Sequence, residues 1–535
     1  MHLYIPVSLR VLAFAVLGLG VGGCASVPPV KRLNGVVAAG GPLAQAHVSV
    51  RDSKGTLAST RADTQGRYQL DASTLTPPLV VMASEAGNRN CRTNQAPRAI
   101  CMVAWRATLE DGDNTTNVNP LTDWLVSEMA TSLQFIGPQQ FAEAPKAPDV
   151  PTSLQARALQ HLRSGFGAAL ARSGVVDVAG FDPVTTPMRA DGHGVDAVLS
   201  VLNHTRGYDN DSGEASATII TDTAWRPIAH PFGDRANEPL HMERAEREHA
   251  AILAARVRIF IVGDSTAATY ERERLPRMGW GQVFEDRFKD AADVKVVNGA
   301  RAGRSSRDFY NGGWYRQMLR YLRPGDYVVI ALGHNDQNCN SLRPVRGAAD
   351  VANLCTYPND AQGLRQFPVG QPQMSFQTAL EVYIHDARAR GAIPFIMTPT
   401  TRYLNADRKA AHANGDTRPV VSQHRTQQHA EGGYAFTGDY SQTIRDTARA
   451  NGVPLIDLEA KTIDFANAHA HDWQDYWLVV TDTVKFPWYA TQTAGTRASP
   501  DTTHFQERGA RAMAALVAQG IKETPQLRAL AQYLK

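Results

Sequence analysis

The segment Val257-Arg258-Ile259-Phe260-Ile261-Val262, running directly into Gly263-Asp264-Ser265-Thr266, decides the fold of this chain. An apolar, β-branched run of this length reads as a buried strand. The glycine after it permits a tight turn and leaves a serine at the strand's carboxyl end. From here the text alternates between strands and helices. Further strands are expected at Val294–Val297, Tyr327–Leu332, Pro394–Met397 and Pro454–Leu458, with helical patterns between them such as Phe376–Arg390 and Ile444–Ala450. Apolar strands separated by helices predict a parallel sheet covered on both faces. Right-handed crossovers bring the carboxyl ends of the strands to one edge, where ligands bind.

Two more sequence blocks end on that edge. Asn298-Gly299-Ala300-Arg301-Ala302-Gly303-Arg304-Ser305 follows the second strand, and Gly333-His334-Asn335-Asp336 follows the third. A fourth block, Asp501-Thr502-Thr503-His504, stands before a helical pattern over Gln506–Ala518. An aspartate three residues before a histidine, on one turn, can reach the imidazole Nδ1 and leave Nε2 facing Ser265. A histidine so placed takes the serine proton and later returns it to a leaving alcohol. The Ser265 and Gly303 backbone N–H groups and the Asn335 side-chain amide can supply three donors to an oxyanion. A helix N-terminus near Ser265 would favour the same charge. The competing reading makes Asp501 a helix cap, His504 a surface residue, Gly303 a turn and Asn335 a cap. His334 and Asp336 read as holding their loop.

The four blocks, their order and their strand positions resemble the SGNH (GDSL) hydrolase family over about residues 255–525. The resemblance implies a flavodoxin-like parallel sheet, with Ser265 as nucleophile, Gly303 and Asn335 in the oxyanion hole, and Asp501 and His504 as the Asp-x-x-His pair. Within the family, the second and third blocks look like rhamnogalacturonan acetylesterases, implying deacetylation of a pectic polysaccharide. The first block is G-D-S-T rather than G-D-S-L, and insertions around Gln337–Met374, Thr401–Gly433 and His471–Pro500 bear on the substrate. An esterase for another acylated glycan or lipid is the alternative within enzymes; a non-catalytic glycan-binding lipoprotein is the alternative outside them. A G-x-S-x-G elbow would need glycine where Ala267 stands. No metal or other cofactor is expected. Arg304 and Arg307 could meet uronate carboxylates, or equally pair with Asp308 or another acid. Trp473, Tyr476, Trp477, Phe486, Trp488 and Tyr489 suit sugar faces, or the packing of a long insertion.

Outside this half, the chain reads as two smaller units. Of its 535 residues, 43% are hydrophobic and 20% charged, with a net charge of +3, so several domains are expected and nothing suggests nucleic acid. Arg10, the apolar run Val11–Gly20 and Val21-Gly22-Gly23-Cys24 form an export signal over residues 1–24. Small residues before a cysteine resemble a bacterial lipoprotein processing site. That resemblance implies lipidation of Cys24 and, with Ala25 following, outer-membrane sorting in the cell envelope; an ordinary secretory signal is the alternative. Residues 33–112 show short alternating strands and an Asp-x-x-Gly-Arg-Tyr-x-Leu stretch at 63–70, resembling transthyretin-like, carboxypeptidase-regulatory-like β-sandwich modules. Residues 117–235 read as a helical domain with a β-hairpin. Its helices would start at Asn119-Pro120, at a Ser153 cap, and at Val195–Leu202; Met242–Ala255 reads as a lead-in helix. Cys91, Cys101, Cys339 and Cys355 allow three disulfide pairings, proximity favouring Cys91–Cys101 and Cys339–Cys355, with reduced thiols as the alternative.

Overall fold

The computed structural model describes residues 30–85, 101–207, 217–225, 227–229, 239–289, 293–311, 313–337, 354–357, 375–403, 415, 417–421, 424, 430–431, 434–435 and 438–535. The export signal and Cys24, with Cys91 and Cys339, lie outside these residues. Cys101 and Cys355 are both disulfide-bonded.

Among the described residues, seven strands come first: β1 (Lys31–Val36), β2 (His47–Arg51), β3 (Leu57–Arg61), β4 (Arg67–Asp71), β5 (Leu79–Ser84), β6 (Cys101–Arg106) and β7 (Gly112–Thr115). They form one sheet of order β4-β1-β7 and another of order β3-β2-β5-β6. In β2 burial alternates, with Val48 and Val50 inside, as a half-buried strand requires. The helix Pro120–Ser132 starts at Asn119, whose side chain accepts the Leu121 and Thr122 N–H groups in a reciprocal capping box. Its Leu121, Leu125 and Met129 join a core that also holds Val48, Val81 and Tyr68 of the sheets and Leu162 and Phe166 of the helix Thr152–Arg172. One hydrophobic cluster thus runs from Leu33 to Ala245.

Two local expectations change here. Ser153 does not cap the second helix: Pro151 holds the N-cap position, its carbonyl accepting from Leu154 and Gln155, so Ser153 falls inside the first turn. The third helix stops at Ser200, because Leu202 already begins β8 (Leu202–Gly207), which pairs with β9 (Ala217–Asp222). β10 (Pro227–Ala229) completes this antiparallel sheet, in the order β10-β9-β8.

After the helix Met242–Ala254 comes the parallel sheet: β11 (Val257–Gly263), β13 (Val294–Asn298), β14 (Tyr327–Ala331), β15 (Ile393–Met397) and β18 (Leu455–Ile456), in the order β13-β11-β14-β15-β18. Every neighbouring pair is parallel. β12 is Arg277–Met278, and β16 (Ala430–Glu431) pairs with β17 (Tyr434–Ala435). The two-residue period of the strands sorts their side chains into two cores. Ile259, Ile261, Val329 and Phe395 pack with Trp280, Phe284, Met513 and Val517 on one face. Phe260, Val262, Val328 and Ile396 pack with Leu380, Tyr383, Ile384 and Ile444 on the other. Each such side chain contributes about 1.5–3 kcal/mol on burial, so a one-residue register slip is disfavoured on both faces at once. Because the chain moves from β11 to one neighbour and then to the other, a crevice opens beyond the carboxyl ends of β11 and β14.

Candidate active site

Ser265 lies just beyond β11, on a turn in which the Ala267 and Ala268 N–H groups bond to the Asp264 carbonyl. No helix follows it, contrary to expectation; the chain continues as a turn and then open coil. The Asp501–His504 block also differs from expectation. It is not on a helical turn but on strand β20 (Asp501–Gln506), which pairs antiparallel with β12 and with β19 (Trp477–Leu478) before the helix Glu507–Glu523. The carboxylate still reaches back, because Asp501 Oδ1 accepts the backbone N–H groups of Thr503 (3.0 Å) and His504 (3.1 Å). That fold-back presents Asp501 Oδ2 to His504 Nδ1 at 2.6 Å, and His504 Nε2 meets Ser265 Oγ at 2.8 Å. With Asp501 accepting from Nδ1–H, Nε2 is the acceptor for the serine proton. Strand β20 is fixed from two sides: Tyr403 donates its N–H to the Thr502 carbonyl, and Gln506 donates its own to Tyr476.

The electrostatics suit a resting neutral imidazole. Burial, then the Arg277 cation, lower His504 below its ordinary value of 6.5, with Arg402 adding to them and Asp501 opposing. Burial alone would raise the Asp501 carboxyl, but the His504 contact, Arg277 and the Thr503 N–H outweigh it and hold Asp501 well below the usual carboxylate range.

Buried polar groups hold the strand-end loops, and two of the loops brace one another. Asp264 Oδ1 accepts the Thr266 N–H and hydroxyl, which holds the serine turn. The Asn335 amide donates to the Arg304 carbonyl at 3.2 Å, fixing its plane next to Gly303. Asp336 Oδ1 accepts from the Ser306 N–H at 2.7 Å and hydroxyl at 2.6 Å. Burial raises the Asp264 carboxyl to about 6 and the Asp336 carboxyl to about 7. Gly303 has φ +74, a conformation that an L side chain adopts only with strain. Among the described residues, no group accepts the N–H of Ser265 or of Gly303. Donors aimed at a cleft and left unpaired can receive a developing negative charge.

Three further side chains at the site, Thr400, His424 and Glu459, carried no motif signal. Thr400 Oγ1 lies 3.2 Å from His334 Nε2, His334 Nδ1 lies 3.3 Å from His424 Nε2, and His424 Nδ1 lies 2.8 Å from Glu459, which Arg445 also contacts. With Glu459 accepting from His424, the protons run one way along this buried row, from the Thr400 hydroxyl to the carboxylate. Burial holds both imidazoles below their ordinary value, so they are neutral. The row holds His334 from behind and so supports its neighbour Asn335. Only a search for buried histidine–carboxylate pairs could have found it, since its members come from four separate segments.

Of the two readings for the arginines flanking the second block, Arg304 takes the pairing with Asp308. Arg304 is only 2% exposed; its Nε lies 3.4 Å from Asp308 and its guanidinium faces the Trp314 ring, which withdraws it from any substrate carboxylate. Arg307 is half-buried on the helix Ser306–Asn311, where its charge lowers Asp336. Most of the aromatic insertion packs inward. Tyr476, Trp477 and Tyr489 are buried, and Trp473 stacks on Tyr403 with centroids 4.3 Å apart. Phe486 and Trp488 are partly exposed, the latter beneath Arg274.

A serine, histidine and aspartate in a hydrogen-bonded row, beside unpaired N–H donors at the edge of a parallel sheet, define a serine hydrolase site. Residues 259–517 match the GDSL-like Lipase/Acylhydrolase family, and this half of the chain is a domain of that family, a carboxylic ester hydrolase. Over 267 residues, half of this chain, it is 28% identical to the rhamnogalacturonan acetylesterase RhgT of Bacillus subtilis, covering 90% of that protein. It is 27% identical to the probable rhamnogalacturonan acetylesterase YesY of the same organism, covering 92% of it. A 114-residue stretch, 21% of this chain, is 33% identical to a rhamnogalacturonan acetylesterase of Emericella nidulans and covers 42% of that enzyme.

Proposed function

We propose that this protein is an exported esterase that removes acetyl groups from a pectic polysaccharide, rhamnogalacturonan, through an acetyl-serine intermediate. The observation that carries the chemistry is the row from Asp501 through His504 to Ser265, with both contacts under 3 Å. In the proposed mechanism Ser265 Oγ attacks the acetyl carbonyl as its proton passes to His504 Nε2. The Ser265 and Gly303 N–H groups and the Asn335 amide hold the oxyanion, and Asp501 stabilises the imidazolium. Collapse breaks the bond to the sugar oxygen, which leaves with the proton from His504. Water then enters, His504 deprotonates it, and acetate departs. The substrate rests on the relatives being rhamnogalacturonan acetylesterases. Acetate release from acetylated rhamnogalacturonan and from a small acetyl ester tests both levels. Turnover of the small ester alone would remove the polysaccharide, and near wild-type turnover by Ser265→Ala would remove the mechanism.

The rest of the layout belongs to the same proposal. Residues 1–24 are an export signal, Cys24 a lipid anchor in the outer membrane of a bacterial envelope, and residues 33–112, 117–235 and 255–525 the sandwich, helical and catalytic units. Cys91–Cys101 and Cys339–Cys355 are the proposed disulfides. Replacing Cys24 with alanine is expected to move the protein from the membrane to the soluble fraction; unchanged fractionation would reject the anchor.

A further inference from the structure

Arg277 stands apart from the other arginines near the catalytic edge. Arg304 is engaged by Asp308, Arg445 by Asp457 and Glu459, and Arg511 by Asp286 and Glu507. Among the described residues, no carboxylate lies within ion-pair distance of Arg277, and its buried Nε has no hydrogen-bond partner. What holds it is a ring: the guanidinium carbon lies 4.5 Å from the centroid of Tyr270. Tyr270 in turn donates its hydroxyl to the Ser265 carbonyl at 2.7 Å, and burial keeps that phenol protonated by raising it to about 12. Arg277 also lies on β12, paired residue for residue with the catalytic strand: Arg277 opposite Gln506 and Met278 opposite Phe505. It is therefore fixed to the nucleophile through Tyr270 and to the histidine strand through the backbone, while its side chain is half-exposed. The anion whose field it shares, Asp501, already directs its oxygens to His504 Nδ1 and to two backbone N–H groups. A stacked guanidinium without a carboxylate, at the rim of a hydrolytic site, has the geometry that recognises planar carboxylates.

We infer that Arg277 binds a carboxylate on the substrate beside the ester being cleaved, so that the site selects a uronic acid neighbouring the acetylated sugar. The inference rests on the esterase reading above and adds the group that would discriminate acidic from neutral glycans. The competing role is purely electrostatic: a cation that keeps His504 neutral or stabilises the oxyanion would act on every ester alike.

Competitive inhibition separates the two, and does so whether or not the polymer is a substrate. Hydrolysis of p-nitrophenyl acetate by the full-length protein is inhibited with galacturonate oligomers, as the free acid and as the methyl ester, which has the same shape without the charge. The readout is the ratio of the two inhibition constants within each variant, so any change in basal rate cancels. The wild type is expected to bind the free acid about tenfold or more tightly than the ester, the range of a charge-assisted pair, and to lose this preference as salt is added. In Arg277→Gln the ratio is expected to fall to near one, and in Arg277→Lys, which keeps the charge but not the fork, to an intermediate value. A wild-type ratio of one, or a wild-type ratio preserved in Arg277→Gln, would overturn the inference. Absence of acetate release from rhamnogalacturonan by the wild type, with the ratio collapsing in Arg277→Gln, would sink the proposed substrate while leaving the anion site standing.

Discussion

Two Asp–His pairs, one in each half of the molecule, have nearly the same contact and different uses. In the N-terminal core, Asp123 meets His204 Nε2 at 2.7 Å; at the catalytic edge, Asp501 meets His504 Nδ1 at 2.6 Å. Asp123 is fully buried and also accepts the Val103 N–H and the Thr218 hydroxyl, so one carboxylate ties β6, β8 and β9 to the helix Pro120–Ser132. Asp501 is partly exposed and faces a histidine whose far nitrogen meets a hydroxyl at a cleft. The pair itself is therefore not the signal of catalysis. The signal is a second nitrogen directed at a nucleophile, with N–H donors left unpaired beside it.

The comparison can be broken or sharpened experimentally. The largest effect is expected at the nucleophile: Ser265→Ala or His504→Ala should lower kcat on a small acetyl ester about 10⁴-fold or more, measured in the steady state, with an unchanged melting curve. Asn335→Ala should lower kcat about 10²–10³-fold with a much smaller change in KM, because an oxyanion donor acts in the transition state. Asp123→Ala should do the reverse. Removing it strands three buried partners and is expected to cost about 3–5 kcal/mol of stability in chemical denaturation, while the folded fraction keeps its kcat. Loss of kcat with no loss of stability would erase the distinction drawn here.

The smallest effect is in pH. The groups around His504 are Asp501, Arg277, Arg402 and His334. Burial and the two arginines lower His504 below 6.5, so the neutral base persists into mild acid. The acid limb of kcat/KM is then expected below pH 6.5, and Arg277→Gln should move it upward. The same sign governs stability: His504, His334 and His424 take up protons more readily unfolded, so their contribution is lost as pH falls below 6.5. Asp264 and Asp336 oppose this. They hold protons up to about 6 and 7, and the stability this confers is lost as pH rises from 3.8 through those values.

The order of strands was legible because each carries a continuous apolar run, and the apolar stripe of the helix Pro120–Ser132 was legible because Leu121, Leu125 and Met129 recur at helical spacing. The end of the helix Val195–Ser200 was not, because Val201 and Leu202 continue an apolar run that suits helix and strand alike. The Asp-x-x-His spacing was visible, but its strand was not: three residues span one helical turn equally well, and pairing with β12 and β19 decides between them.

By itself, the sequence determined which chemical groups end at the strand termini, since an apolar run followed by Gly-Asp-Ser or Gly-His-Asn-Asp has one place to put its polar residues, beyond the sheet's edge. Tertiary structure decided which charged groups are used up. Arg304 and Arg277 are both arginines near a motif, but Asp308 reaches one and no described carboxylate reaches the other. That difference depends on neighbours in space, and on burial that strengthens or removes each charge, neither of which is written in local spacing.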